Sequence, residues 1–156
     1  MSRSQRYSWA ILILAIAGIA ISAVSLYNHY SVTETDYCSF DETFNCDLVN
    51  RSIYSSIGGV PVALIGVLGY GLIVVLSRLA LRNRQLAAAL LVCSLGGLGF
   101  AVYLTYIEAY VLGVWCILCV ASQAIILTIT VLAALLLFAS PGVRGLAVED
   151  GATGRS

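Results

Sequence analysis

Four stretches of this sequence, residues 9–27, 57–76, 86–107 and 114–138, contain no Asp, Glu, Lys or Arg. A helix needs roughly 20 apolar residues, at about 1.5 Å rise each, to cross the hydrocarbon of a bilayer. All four stretches have that length. Backbone groups in lipid must be satisfied within their own segment, which selects helix over any irregular form. Composition argues the same way. Only 10% of the 156 residues are charged and 60% are hydrophobic, whereas a soluble domain carries about 25% charged residues. So few charges cannot coat a water-facing surface. The expectation is an all-α membrane protein, a four-transmembrane-helix bundle whose solvent is the lipid bilayer. A formal net charge of zero argues against a basic nucleic-acid surface, so no nucleic acid is expected as a partner. The first stretch is longer than the apolar region of a signal peptide and no small-residue cleavage site follows it, so it reads as a retained helix.

The connections differ. Residues 28–56 form a long loop between helices one and two, with two cysteines, several aromatics and turn formers. A loop that long is usually functional or disordered, and the aromatics and cysteines favour function. Residues 77–85 make a short basic connection, and residues 108–113 read as a tight turn. There is no Lys. Arg3, Arg6, Arg78, Arg82, Arg84, Arg144 and Arg155 fall on one side of the expected membrane and Arg51 alone on the other. By the positive-inside rule both termini are cytoplasmic, and the long loop is extracytoplasmic. Residues 1–139 make one transmembrane domain and residues 140–156 a flexible cytoplasmic tail.

Five cysteines occur, at 38, 46, 93, 116 and 119. Cys116 and Cys119 form a C-x-x-C pair at the outer start of helix four. Residues three apart share a helix face, so both sulfurs can meet or point into one pocket. The positive end of the helix dipole favours thiolate, the attacking species in disulfide exchange. Cys38 and Cys46 lie eight apart in the outer loop, where a disulfide persists. They read either as a structural staple or as a shuttle pair that relays electrons to or from Cys116 and Cys119. A zinc site is the other use of two cysteine pairs, but the x7 spacing is unlike a zinc knuckle, so no metal is expected. Cys93, with Gly66, Gly69 and Gly71, reads as close helix packing. Glu108 reads as a helix end at the membrane boundary and His29 as an interfacial residue. The aromatics near the outer face read as an interfacial belt, some of them lining a pocket for a flat ring.

Four helices, an outer loop with cysteines eight apart and a C-x-x-C opening helix four resemble the vitamin K epoxide reductase family, over about residues 9–138. Ser52, six residues after Cys46, stands where the family has Ser or Thr. The resemblance implies a reaction between a dithiol and a quinone within the outer leaflet. It implies that Cys119 is nearest the quinone and forms an adduct with it, and that Cys116 is its disulfide partner. It further implies that Cys46 attacks Cys116, that Cys38 exchanges with a thioredoxin-like partner, and that Ser52 hydrogen-bonds a quinone oxygen. In an ungapped comparison the helix-two asparagine of animal members falls on Val62, and their tyrosine beyond the C-x-x-C falls on Gln123. Gly58-Gly59-Val60-Pro61 is more similar to prokaryotic members.

That pattern implies a thiol–quinone oxidoreductase of a prokaryotic cytoplasmic membrane. Its electron acceptor would be a menaquinone, ubiquinone or vitamin K type quinone. Its electrons would come from a separate thioredoxin-like extracytoplasmic protein, since no such domain follows helix four. Three other readings stay open. One is vitamin K quinone or epoxide reduction proper. Another is a DsbB-type oxidase, which carries its C-x-x-C in the first external loop, the reverse of the order here. The last is a non-enzymatic, disulfide-stapled membrane scaffold.

Overall fold

The computed structural model describes residues 2–31, 39–41 and 44–139. Helix α1 runs Arg3–Tyr30. Its first turn is closed by a capping box, in which Gln5 N–H donates to Ser2 Oγ at 3.3 Å and Ser2 N–H donates to Gln5 Oε1 at 3.0 Å. After it come a short antiparallel ladder, β1 (Ser39–Asp41) with β2 (Phe44–Asn45), and a one-and-a-half-turn helix, α2 (Cys46–Arg51). A 3₁₀ turn, Ile53–Ser55, leads to a second small hairpin of β3 (Ser56–Ile57) and β4 (Val60–Pro61). Helices α3 (Val62–Leu79), α4 (Arg84–Ile107) and α5 (Ile117–Ala139) complete the chain, with a π-helical turn, Glu108–Leu112, extending α4. Residues 140–156, expected as a tail, lie outside the described residues.

Four helices are long and apolar enough to cross a membrane, in agreement with the four uncharged stretches. Their ends depart from the reading. The second stretch does not enter its helix at residue 57. Gly58 and Gly59 take φ of 60° and 85°, a left-handed pair that turns a hairpin tightly and that glycine adopts without steric cost. Pro61 at φ −59° then starts α3. Absence of charge cannot distinguish these hairpin residues from a helix, because both are apolar. Similarly, residues 108–113 are not a simple tight turn. The helix continues through its π turn and stops only at Gly113, whose φ is 67°.

The core is a column of small and aliphatic side chains, including Ile11, Ala15, Ile73, Leu90, Ile129, Ala133 and Leu136. α1 packs along both α3 and α5, and α4 along α5, while α3 and α4 approach each other less extensively. Outward-facing Ile13, Leu68, Val92 and Phe138 stay exposed, as expected for surfaces solvated by lipid rather than water. One end of the bundle is basic. There Ser8 Oγ donates to the Ser77 carbonyl oxygen at 2.7 Å, and the Arg78 guanidinium lies 4.3 Å above the Trp9 ring. The cysteines at 46, 116 and 119 lie at the opposite end.

Close approach depends on particular glycines, and not on all those the sequence suggested. A Cβ on Gly18 would meet the Tyr70 ring at 2.5 Å, and one on Gly66 would meet Ser22 Oγ at 2.8 Å. At Gly69 and Gly71 it would meet nothing within 4 Å, so these two do not serve helix packing. The Tyr70 ring cannot easily yield to Gly18, because its hydroxyl donates to the Ser122 carbonyl oxygen at 2.9 Å, tying α3 to α5. Gly18→Val is therefore expected to destabilise the bundle by about 1–3 kcal/mol, the usual cost of overpacking. Gly71→Ala should be tolerated. Thermal unfolding of the purified variants in detergent checks both.

Candidate functional site

The C-x-x-C pair is held at the entrance to α5. After Gly113 the chain runs to Cys116, whose carbonyl oxygen accepts the first helical hydrogen bond, from Val120 N–H at 3.0 Å. Cys116 is thus the half-in residue at the helix N-terminus, and its side chain is fully buried. Cys119, one turn on, is half-buried. Both are free thiols, as is Cys93; Cys46 is disulfide-bonded. A hydrogen bond from the Cys119 thiol holds the Cys116 thiol below the ordinary cysteine range, against burial and the nearby Glu108 charge, which push it up. Backbone N–H groups of Leu118 and Cys119 act in the same lowering sense, as expected at a helix N-terminus.

Glu108 is the residue whose role sequence reasoning missed. It does stand at the end of α4, as expected, but it is only 2% exposed. Its Oε2 accepts a hydrogen bond from Cys116 N–H at 3.1 Å, and its carboxyl group is also hydrogen-bonded to the Cys119 side chain. The π turn and the left-handed Gly113 fold the chain back, so that a residue eight positions earlier meets the C-x-x-C. The available signal was a lone acid in an apolar context shortly before two cysteines.

The loop cysteine is brought to the same place. Asn45 N–H donates to the Trp115 carbonyl oxygen at 3.2 Å, which lays the residue before Cys46 beside the residue before Cys116. The Asn45 side chain caps α2 by accepting Leu48 N–H at 2.9 Å. Cys46, Val49 and Cys116 form one buried cluster, with Leu112, Val114, Leu118 and Cys119 packed around it. Three of the four expected redox cysteines therefore converge; Cys38 lies outside the described residues.

Below this cluster, between the four long helices and under α2, is a cavity of about 390 Å³. Its walls are mostly aliphatic, with Cys119, Glu108 and Ser52 on its border. The Ser52 hydroxyl donates to the Val49 carbonyl oxygen at 2.8 Å. His29 also borders the cavity, and its Nδ1 lies 2.6 Å from the Asn50 carbonyl oxygen. It is thus a fastening between α1 and α2 and not merely an interfacial residue. Cys93 borders the cavity as well as packing against the core. Of the aromatics expected near this end, Tyr54 lines the cavity while Tyr27, Tyr30, Tyr103, Tyr106 and Tyr110 face outward. Among the described residues no group of three or more His, Cys, Asp or Glu side chains could hold a metal ion.

A model of the vitamin K epoxide reductase family matches residues 9–134. The chain belongs to the vitamin K epoxide reductase family. No curated protein matches it. As a member of the vitamin K epoxide reductase family with four membrane-spanning helices, it is a membrane oxidoreductase, and quinones are the general kind of electron carrier its family uses. The cavity fits such a group. Its volume is in the range of small-molecule sites, and apolar walls with a few polar groups suit a flat ring.

The Cys116 environment has a direct readout. In the fully reduced protein, ultraviolet thiolate absorbance should show one cysteine titrating below the ordinary cysteine range. The step should vanish in Cys116→Ser and persist in Cys93→Ser.

Proposed function

We propose that the protein is a membrane thiol–quinone oxidoreductase that reduces a membrane quinone with electrons from a separate thioredoxin-like partner, and so supports disulfide formation outside the cytoplasm. The observation that carries the reading is the position of Cys119, which borders the cavity on one side and the buried Cys46–Cys116 cluster on the other. A pair so placed can exchange electrons with an apolar ring through Cys119 and with a loop thiol through Cys116.

The electrons balance as follows. A dithiol of the partner reduces the loop disulfide through Cys38 and is itself oxidised to a disulfide. The Cys46 thiolate then attacks Cys116 in the oxidised C-x-x-C pair, releasing Cys119. Cys38 resolves the Cys46–Cys116 bond, leaving the loop oxidised and both helix thiols reduced. The quinone, when bound, supplies a two-electron, two-proton acceptor. Cys119 and Cys116 return to a disulfide as those electrons leave. Glu108, whose carboxyl group meets the Cys119 side chain, accepts the Cys119 proton once the Cys116 sulfur no longer holds it, and Ser52 borders the space the ring occupies.

Val62 and Gln123 favour this role over epoxide reduction. Val62 presents an aliphatic wall where animal members have asparagine, and the Gln123 side chain is hydrogen-bonded to Thr105 on α4. Orientation follows the arginines. Arg3, Arg6, Arg78, Arg82 and Arg84 lie at the end opposite the cysteines, which supports cytoplasmic termini and a redox end outside the cytoplasm.

Disulfide exchange passes through a mixed disulfide, so removing a resolving thiol traps it. Cys119→Ser and Cys38→Ser should each accumulate a Cys46–Cys116 bond, found by peptide mapping of non-reduced protein. Finding only Cys38–Cys46 in Cys119→Ser, and no loop-to-helix link in either, would instead indicate a static staple. Glu108→Gln keeps an oxygen for Cys116 N–H but no carboxylate. Single-turnover quinone reduction should slow by about 10²–10⁴-fold, the usual effect of losing a positioned proton acceptor.

A further inference from the structure

One side chain above the cavity has a hydrogen-bonding group that the protein does not use. Asn50, on α2, is 6% exposed and borders the cavity. Its Oδ1 accepts from Ser25 Oγ at 2.8 Å, and its carbonyl oxygen meets His29 Nδ1 at 2.6 Å. Ser25 and His29 are four residues apart on α1, hence one above the other on the same face. Together they clamp the residue from two directions. With the amide oxygen fixed on Ser25, the planar amide has its nitrogen in a set direction. That nitrogen, Nδ2, is buried and has no hydrogen-bond partner.

Buried amide donors are almost always paired, and an exception asks for an explanation. Three neighbouring hydroxyls on α1 and beside α2 are already committed as donors. Ser25 donates to Asn50, Ser52 to the Val49 carbonyl oxygen, and Ser55 to the Ser52 carbonyl oxygen at 2.7 Å. A quinone oxygen can only accept, so a bound ring needs a donor that the protein has left open.

We propose that Asn50 Nδ2 is the donor that seats a carbonyl oxygen of the quinone in this cavity. The inference rests on the thiol–quinone reading and names the contact that orients the ring. Because α2 is held on α1 by Ser25 and His29 and on the C-x-x-C by Val49, the side chain that carries the donor is held on the cavity border before any ligand arrives. A donor so placed also favours the reaction, since the carbonyl oxygen gains electron density as the ring is reduced. Cys46 and Asn50 are i and i+4 on α2, so the loop cysteine and the ring's anchor move as one unit.

The test compares two probes, a short-tailed 1,4-naphthoquinone and the naphthalene of the same shape that lacks both oxygens. Binding is followed by tryptophan fluorescence quenching on the full-length protein in detergent, with all cysteine pairs oxidised. Wild type should bind the quinone about tenfold more tightly than the hydrocarbon, the value of one net hydrogen bond at the upper end of its range. Asn50→Leu removes the amide. Asn50→Asp keeps the volume and the acceptor for Ser25 but replaces the donor nitrogen. Both should lose the preference while hydrocarbon affinity stays as in wild type. An undiminished preference in both variants overturns the proposal. So does loss of hydrocarbon binding in both, which would make Asn50 a support of the cavity wall and not a donor. Equal affinity of wild type for the two probes overturns the donor but leaves the thiol–quinone reading standing. No binding of either probe to wild type overturns that reading itself.

Discussion

Polar groups buried at the end of an apolar bundle must find partners inside the protein, because lipid offers none. That requirement governs the redox end, with the Asn50 amide nitrogen as an exception. The N–H of Cys116, at the start of α5, is taken up by the carboxyl of Glu108. The N–H of Asn45 is taken up by Trp115, and the Asn50 main chain and side chain by His29 and Ser25. Each bond satisfies a buried group and at the same time fixes the position of a functional one. The loop segment is therefore seated on the helices by the same contacts that assemble the cysteines.

The basic end is held more simply. One serine-to-backbone bond between Ser8 and Ser77 and one stacked arginine suffice where α1 meets α3. Between the two ends the helices rely mainly on contact, with Tyr70 tied to Ser122 and Thr105 to Gln123, and the tightest places are glycines against a ring or a hydroxyl. Packing of this kind needs no charge, which is why the middle of the molecule is so uniform in sequence and the two ends are not.

The helices were legible because charge is excluded from lipid, and an uncharged run is visible without any partner. Their ends were less so. Ile57 to Pro61 is as apolar as the helix it precedes, and only the Gly58-Gly59 pair marks the hairpin. Cys116 and Cys119 were legible from spacing, since three residues always fall on one helix face. Glu108 and Asn50 were not. Glu108 is defined by a fold-back through a π turn, and Asn50 by hydroxyl and imidazole groups some twenty residues away on α1. Local periodicity contains neither relation. Gly69 and Gly71 failed for a related reason, because a small residue says that something can come close, and whether it does is decided by the neighbouring helix.

The π turn between α4 and α5 has a consequence for how this protein can vary. A π turn holds one residue more than the α turn it replaces. Taking one residue out of the 109–112 segment would restore ordinary helical winding and rotate everything beyond it by about a third of a turn relative to Glu108. The chemistry-bearing acid would then face away from the sulfurs although every functional side chain was still present. Length in this short segment is therefore under tighter constraint than residue type.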